Sequence, residues 1–327
     1  MTETTQTRHP AGEDAVLPFA VEPLDVRGRT VKMGPVLDAI LNRHDYPEAV
    51  NRLLAEAIVL TAMLGSTLKF EGRLTLQAQT DGPVSVLVVD FQAPDGLRAT
   101  AQFDADKVAQ AAAKEGFKPD DLLGRGHLAF TIDQGSNTSR YQGIVVLEGT
   151  TLEEAAHEYF FKSEQIPTRV RLGVAQLVQR REGNSPQKSW RAGGIMLQFL
   201  PKSEERQRQA DLHPGDAPEG HDAQQVAEDD AWMEAKALVD TVKDEELTNT
   251  DLSAEGLLYR LFHERGVKAF DPQMMQDRCT CSQEKISAML RQMPEPDQQE
   301  MLAEGVVEVN CDFCSKHYKL DPRKILG

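Results

Sequence analysis

Cys279, Cys281, Cys311 and Cys314 are the only cysteines of this 327-residue chain, and all fall within its last 49 residues. Their pattern is C-x-C, 29 intervening residues, then C-x-x-C. Four thiolates form a complete tetrahedral shell for one Zn²⁺, with Zn–S near ~2.3 Å and therefore about 3.8 Å between ligand sulfurs. A disulfide needs only ~2.05 Å, so close sequence neighbours reach it without large rearrangement. Two such pairs around one ion are also two potential disulfides, and oxidising either would remove half of the shell. Spacing alone makes a switch chemically accessible without establishing one.

The elements that must position these thiols are legible around them. Val306–Val309 reads as a strand entering Cys311-Asp312-Phe313-Cys314, and His317–Leu320 as a strand leaving it. Ser282 is placed to cap a short helix carrying Ile286, Met289, Leu290 and Met293, ended by Pro294. Asp297 with Glu300 reads as the cap of another, closed by Gly305. About fifty residues bury little core, so a metal staple is physically expected, and structural zinc contributes on the order of 10–16 kcal/mol to such folds. The residues leave alternatives. The plainest is a purely structural zinc site. A catalytic zinc lacks an open position, a thioredoxin-like C-x-x-C lacks a robust helix starting at Cys314, and resting disulfides suit an oxidising compartment. His317 could substitute as a ligand but reads better as a strand residue.

Upstream the composition shifts sharply. Ser203–Glu255 holds sixteen acidic residues against four basic ones, twelve of the chain's sixteen excess negative charges. Its Pro/Gly-containing first part, with His213 and His221, reads as a mobile linker. Its second part carries Trp232, Ala235, Leu238, Val239 and Val242 on a helical stripe that must dock on something. Asp229 and Asp230 suit that helix's start, whereas Glu245 and Glu246 would oppose the dipole at its end. A second helix, about Ser253–Arg265, places Leu257, Leu258, Leu261 and Phe262 on one face, with Gly266 as its stop. Both read as helices conditional on docking, with Trp232, Val239, Leu258, Leu261 and Phe262 the docking residues.

Before Pro201 the chain alternates between helix-like and strand-like stretches. Strands are expected over Leu24–Val31, Arg73–Thr80, Val84–Phe91, Leu97–Phe103, His127–Asp133, Gln142–Leu147, Arg169–Gln179 and Ile195–Leu200. Pro47–Leu68 reads as a helix buried between layers. Asp104–Glu115 and Thr151–Lys162 are further helices, the latter opened by a Thr151/Glu154 capping box. Gly193-Gly194 marks a bulge or a close backbone approach. The expected class is α+β: a flexible tail (1–14), a largely antiparallel sheet domain with packed helices (15–201), an acidic, partly helical linker (202–270) and a small zinc module (271–327).

The hydrophobic share of 40% supports a buried core. The net charge of −16 argues against a general nucleic-acid binder, although Lys316, Lys319, Arg323 and Lys324 make the last residues basic. No signal sequence or membrane-length apolar run is visible, and the expectation is a cytoplasmic, reducing location. Gly124-x-Gly126 opens no helix, no nucleophile elbow is present, and no enzyme is expected.

The sequence resembles the redox-regulated chaperones of the heat-shock protein 33 family over nearly its whole length. The resemblance rests on Cys279-Thr280-Cys281-Ser282 and Cys311-Asp312-Phe313-Cys314. Tyr141-Gln142-Gly143, Ser163-Glu164-Gln165, Ala192-Gly193-Gly194 with Gln198 and Pro201, and Arg260-Leu261-Phe262-His263-Glu264 follow in the expected order. It implies one Zn²⁺ per reduced, inactive chain. Oxidation would then join Cys279 to Cys281 and Cys311 to Cys314, release zinc, unfold the module and linker, and favour homodimers that hold unfolding client proteins. The Gly/Pro stretch Gln207–Gln225 is longer than that family needs. Two rivals rest on the residues themselves: a zinc-ribbon module for nucleic acid or protein, and a thiol oxidoreductase.

Overall fold

The computed structural model describes residues 12–68, 71–134, 140–179, 186–201 and 229–326. Residues 1–11 of the expected tail and the Gly/Pro stretch Gln207–Gln225 lie outside them. Two six-stranded sheets face each other across a buried helix. The first contains β1 (Ala15–Val21), β2 (Val26–Met33), β9 (Gln187–Phe199) and β8 (Thr168–Gln179) in that order, with the short β10 (Lys268–Ala269) and β11 (Gln273–Met274) both on the free side of β1. The second runs β12 (Gln276–Asp277), β5 (Gly96–Phe103), β4 (Val84–Gln92), β3 (Arg73–Thr80), β6 (Arg125–Asp133), β7 (Tyr141–Glu148). Pairing is antiparallel throughout except between β12 and β5.

Helix α2 (Glu48–Gly65) touches strands of both sheets and is apolar almost all round. That is the pattern expected of a helix with no solvent face. Val50, Leu53, Leu54, Ile58 and Met63 join Leu76, Leu87 and Val89 of one sheet and Val31, Val170 and Met196 of the other in a single core. The opposite face of the first sheet is apolar too. Leu17, Phe19, Val21, Ile195, Leu197 and Phe199 form a second core with residues contributed from after position 230. This explains why β1 is hard to read from Ala15-Val16-Leu17-Pro18-Phe19-Ala20-Val21. Buried on both faces, it shows a continuous apolar run rather than alternation.

The structure corrects several boundaries. The first expected strand is shifted to β2, and the last extends from Gln187 to Phe199 rather than starting at Ile195. A helix at Pro35–Leu41 had no sequence signal of its own. Its start is served by Asp14 from a distance, which accepts from the amides of Gly34 (3.0 Å) and Val36 (3.1 Å). The expected helix Thr151–Lys162 keeps its capping box but is α-helical only over Leu152–Tyr159, then widens into a π-turn, Phe160–Glu164. Gly193-Gly194 is a close approach and no bulge, because the register with both neighbours is regular. A methyl on Gly194 would stand 2.7 Å from Val59 Cγ1.

His157 joins the capped helix to the first sheet, its Nε2 accepting from the Val170 amide at 2.8 Å. Burial, and then the charge of Arg169, hold its pKa down at about 4. The unfolded chain therefore binds this proton near pH 6.5 and the folded chain only near 4, so stability falls as pH drops through that window. Replacing His157 by Gln keeps an acceptor without the titration. The difference in stability between wild type and His157→Gln, followed by urea unfolding from pH 7 to pH 4, should shrink or reverse towards pH 4.

Candidate metal centre

Two chain segments bring the sulfurs together. The C-x-C half follows β12 directly. After pairing with Gly96 and Leu97, the chain donates one more amide, from Arg278 to the Leu97 carbonyl (2.9 Å), before reaching Cys279. Cys281 then leads into the helix Gln283–Leu290, whose first turn is capped by Ser282 accepting from the Lys285 amide. The C-x-x-C half occupies the tip of a hairpin, β13 (Val307–Asn310) and β14 (His317–Leu320). The tip turns through Ser315, at φ 54°, and is closed by amide bonds from Cys311 to the Lys316 carbonyl and from Ser315 to the Cys311 carbonyl. The first helix stops at Leu290, short of Met293 and Pro294, and Pro294 instead caps the next, Glu295–Glu304. Asp297 therefore lies in the first turn of that helix rather than at its cap, with Glu300 further in, and Gly305 closes it in the left-handed conformation.

The four Sγ atoms lie within 4.8 Å of one another. Cys279 and Cys311 are 3.7 Å apart, and Cys281 and Cys314 3.4 Å. These separations are close to the tetrahedral edge of about 3.8 Å, and the donors are four soft sulfurs, so the set fits one tetrahedral ion. The nearest contacts run between the motifs, yet the whole cluster is compact enough that neither pairing pattern is ruled out by distance. His317 is not among the donors; its Nδ1 faces Asn310 Oδ1 at 2.7 Å.

Packed so closely, the thiols share protons unequally. Burial raises the Cys281 thiol, but hydrogen bonds from the Tyr318 hydroxyl and from Cys314, Cys279 and Cys311 outweigh it and bring it down to about 7. Burial, against a helping Lys316 amide, pushes Cys314 up to about 12. Four thiolates therefore need a cation to neutralise them. Tyr318 donates to Cys281 Sγ at 3.1 Å, and packs with Ile286, Leu290 and Leu320 in the module's only buried cluster among the described residues.

The core domain also touches this centre, through residues for which a single sequence offers no signal. Arg98 on β5 is gripped by the buried Asp90 through Nε (2.8 Å) and Nη2 (2.5 Å). Its guanidinium lies 4.0 Å from the Phe313 ring centroid, and its Nη1 is 3.3 Å from Thr280 Oγ1 and 3.9 Å from Cys279 Sγ. Arg43 pairs with Asp277 and donates to the Phe313 carbonyl at 3.5 Å. His44 Nδ1 meets Ser315 Oγ at 3.3 Å.

The expected docking residues sit elsewhere, on the outer face of the first sheet. Trp232 and Val239, on α5 (Asp230–Asp240), and Leu258, Leu261 and Phe262, on α7 (Ala254–Phe262), are all buried there. Trp232 packs against Phe199 and Phe262 against Phe19, each with centroids 5.9 Å apart. Glu245 and Glu246 do not end the first of these helices, which stops at Asp240. They open a separate short helix, α6 (Asp244–Thr248), where their charge favours the dipole. That helix lies on the cross-strand pair Gly173 and Gly193, where a side chain on Gly193 would strike the Leu247 carbonyl. Lys32 donates to the carbonyls of Glu246 (3.0 Å) and Asn249 (2.8 Å) at its end. Arg169–Asp240 (2.6 Å) and Arg171–Asp244 (3.3 Å) add ion pairs across the seam. No helix among the described residues is long and apolar enough to cross a membrane.

Comparison with known proteins agrees with this architecture. The family model described as Hsp33 protein matches residues 14–321. The 33 kDa chaperonin of Caulobacter vibrioides is 42% identical over 314 residues, covering 95% of each chain. That of Escherichia coli is 35% identical over 301 residues, covering 92% of this chain and 89% of its own. The crystal structure of the 33 kDa chaperonin (heat shock protein 33 homologue) from Thermotoga maritima superposes with a TM-score of 0.70 at 19% identity, over 96% of this chain and 97% of that one.

The donor geometry predicts one metal ion per reduced chain. Native mass spectrometry with thiol titration checks this. The double variant Cys281→Ser/Cys314→Ser should lose the ion, and full retention would show that it sits elsewhere.

Proposed function

The chain belongs to the Hsp33 family of chaperones, which are not enzymes, and from that premise we propose that it is a redox-controlled, ATP-independent holdase of the cytoplasm. Its reduced form carries one Zn²⁺ on Cys279, Cys281, Cys311 and Cys314 and is inactive. The observation that carries this reading is the pairing of a complete four-sulfur shell with helices that cover an apolar sheet face just upstream of it.

Bound zinc would neutralise four thiolates and cross-link the two halves of a module that has little core of its own. The chain's own residues supply the rest. An oxidant of the peroxide class takes two electrons from a C-x-C or C-x-x-C pair, is itself reduced, and leaves a disulfide where two metal ligands stood. We place the bonds within the motifs, Cys279–Cys281 and Cys311–Cys314. A bond of that kind leaves the halves free to separate, whereas Cys279–Cys311 or Cys281–Cys314 would staple the module shut. With half of the shell gone, the module is left with a small core, Ile286, Leu290, Tyr318 and Leu320 with partly buried Met301, Val307, Val309 and Ile325 around them, too small to fold alone.

Loss of the module removes the anchor beyond α7. Helices of nine to eleven residues are marginal in water without docking. Undocking would bare Leu17, Phe19, Val21, Ile195, Leu197 and Phe199, an apolar face of the kind that captures unfolding chains. The same exposure supports homodimers in the oxidised state.

Two measurements test the reading. Peroxide-treated protein should suppress light scattering by an aggregating client while reduced protein does not; a zinc-ribbon binder would protect in neither state. Peptide mapping of the oxidised chain should find the two within-motif disulfides, and a dominant bond between motifs would contradict the release argument.

The lock itself can be opened without oxidant. Leu258 and Leu261 each contribute roughly 1.5–3 kcal/mol by burial, and Asp at both positions would remove that and place charge against the sheet. Leu258→Asp/Leu261→Asp should therefore hold clients while reduced and metal-loaded, with faster proteolysis after residue 229. Faster proteolysis without holdase activity would place the lock elsewhere.

A further inference from the structure

Outside the sulfur shell, the core-facing side of the metal module is contacted by charged side chains whose placement the thiol chemistry does not require. Resting on the assignment of the shell as a metal site, we propose that Arg98 is a positioning residue. It clamps the metal module to the second sheet by stacking on Phe313, and so sets how readily the metal is lost.

Arg98 is held as a rigid platform. Both of its inner nitrogens are bound by Asp90, which is almost wholly buried and is itself fixed by Thr75 donating at 2.5 Å. The guanidinium plane left over can face only outward, and there it meets both halves of the shell at once. The ring of Phe313, between the ligands of C-x-x-C, lies 4.0 Å away, and Thr280, between the ligands of C-x-C, accepts a hydrogen bond at 3.3 Å. One side chain thus touches the intervening residues of both motifs. A cation stacked on an aromatic face with restricted access to water is stronger than an exposed one.

The two halves otherwise differ in their attachment. The C-x-C half hangs from the sheet by backbone pairing at Gly96 and Leu97. Beyond Arg98, the C-x-x-C tip reaches the core through Arg43 on the Phe313 carbonyl and His44 on Ser315, both long or exposed contacts. Phe313 is accordingly the main grip of the core on the tip. Without it, the tip is held by those two contacts, the metal and the small module core.

The test uses the full-length reduced chain loaded with zinc, and measures zinc loss to excess chelator with no oxidant present. Hydrogen exchange at the amides of Gln276 and Arg278, which donate to Asp95 and Leu97, gives a second readout. Arg98→Ala and Phe313→Leu should each speed zinc loss about fivefold, in line with a partly desolvated cation–π contact. The double variant should be no faster than Arg98→Ala alone, since Arg98→Ala already removes the contact that Phe313→Leu removes. Phe313→Tyr, which keeps the ring, should restore the wild-type rate. Arg98→Ala also strands Asp90 and could weaken the sheet. Phe313→Leu leaves that ion pair intact and is the decisive variant. Unchanged zinc loss in Phe313→Leu, or effects that multiply in the double variant, would overturn the clamp while leaving the redox reading standing. Zinc absent from the wild-type reduced chain would overturn both.

Discussion

Four sulfurs within 4.8 Å of one another cannot all ionise without a cation among them, and the arrangement of the last fifty residues follows from that requirement. Neither half of the shell belongs to a substantial core. Among the described residues, the hairpin and the short helix after Cys281 meet over a small cluster, Ile286, Leu290, Tyr318 and Leu320, edged by partly buried Met301, Val307, Val309 and Ile325. The module has little core besides its sulfurs, so with a metal bound its fold would be as durable as the metal–sulfur bonds. This is the reverse of the α2 core, whose stability is spread over a large set of buried apolar side chains.

A similar economy governs the linker helices. Their apolar stripes are short, and the seam adds polar contacts that work only in the docked geometry. The Lys32 bonds require the carbonyls of Glu246 and Asn249 to be presented together, as they are at the end of α6. The Gly173 and Gly193 pair admits the backbone of that helix because neither position has a side chain. Docking is thus specific in register, while the burial energy comes from the apolar stripes on short helices. Short helices with little stability of their own away from the sheet would suit the uncovering proposed for the oxidised state.

Much of this was legible in the sequence, and the gaps have physical causes. The chelating pattern, its hairpin and the amphipathic stripes at Trp232–Val242 and Leu257–Phe262 are local signals, and the cysteines were found together by spacing alone. Strands with one wet face, such as Arg73–Thr80, were placed almost to the residue because alternation marks them. β1 was missed because burial on both faces erases alternation, and Pro35–Leu41 because its cap, Asp14, comes from another part of the chain. Arg43 and Arg98 could not be singled out. An arginine facing solvent on a strand and one gripping a distant ring look identical in one sequence, and only the pairing of β12 with β5 brings residues 98 and 313 together.

That pairing also decides whether the linker and the metal module can act independently. Between α7 and Cys279 the chain is stitched first to one sheet and then to the other: Lys268–Ala269 and Gln273–Met274 lie along β1, and Gln276–Asp277 along β5. Each stitch is only two residues long, too short to hold by itself. Each is secured at its far end by something larger, α7 on one side and the sulfur shell on the other. Removing either end leaves short edge strands with few bonds to resist peeling. Under the proposed mechanism, strain from a failing shell would pass along β12, β11 and β10 to the end of α7, where Phe262 meets Phe19. The route runs through continuous backbone and pairs of hydrogen-bonded strands, so coupling between thiol chemistry and the covered face needs no longer-range device than the chain itself.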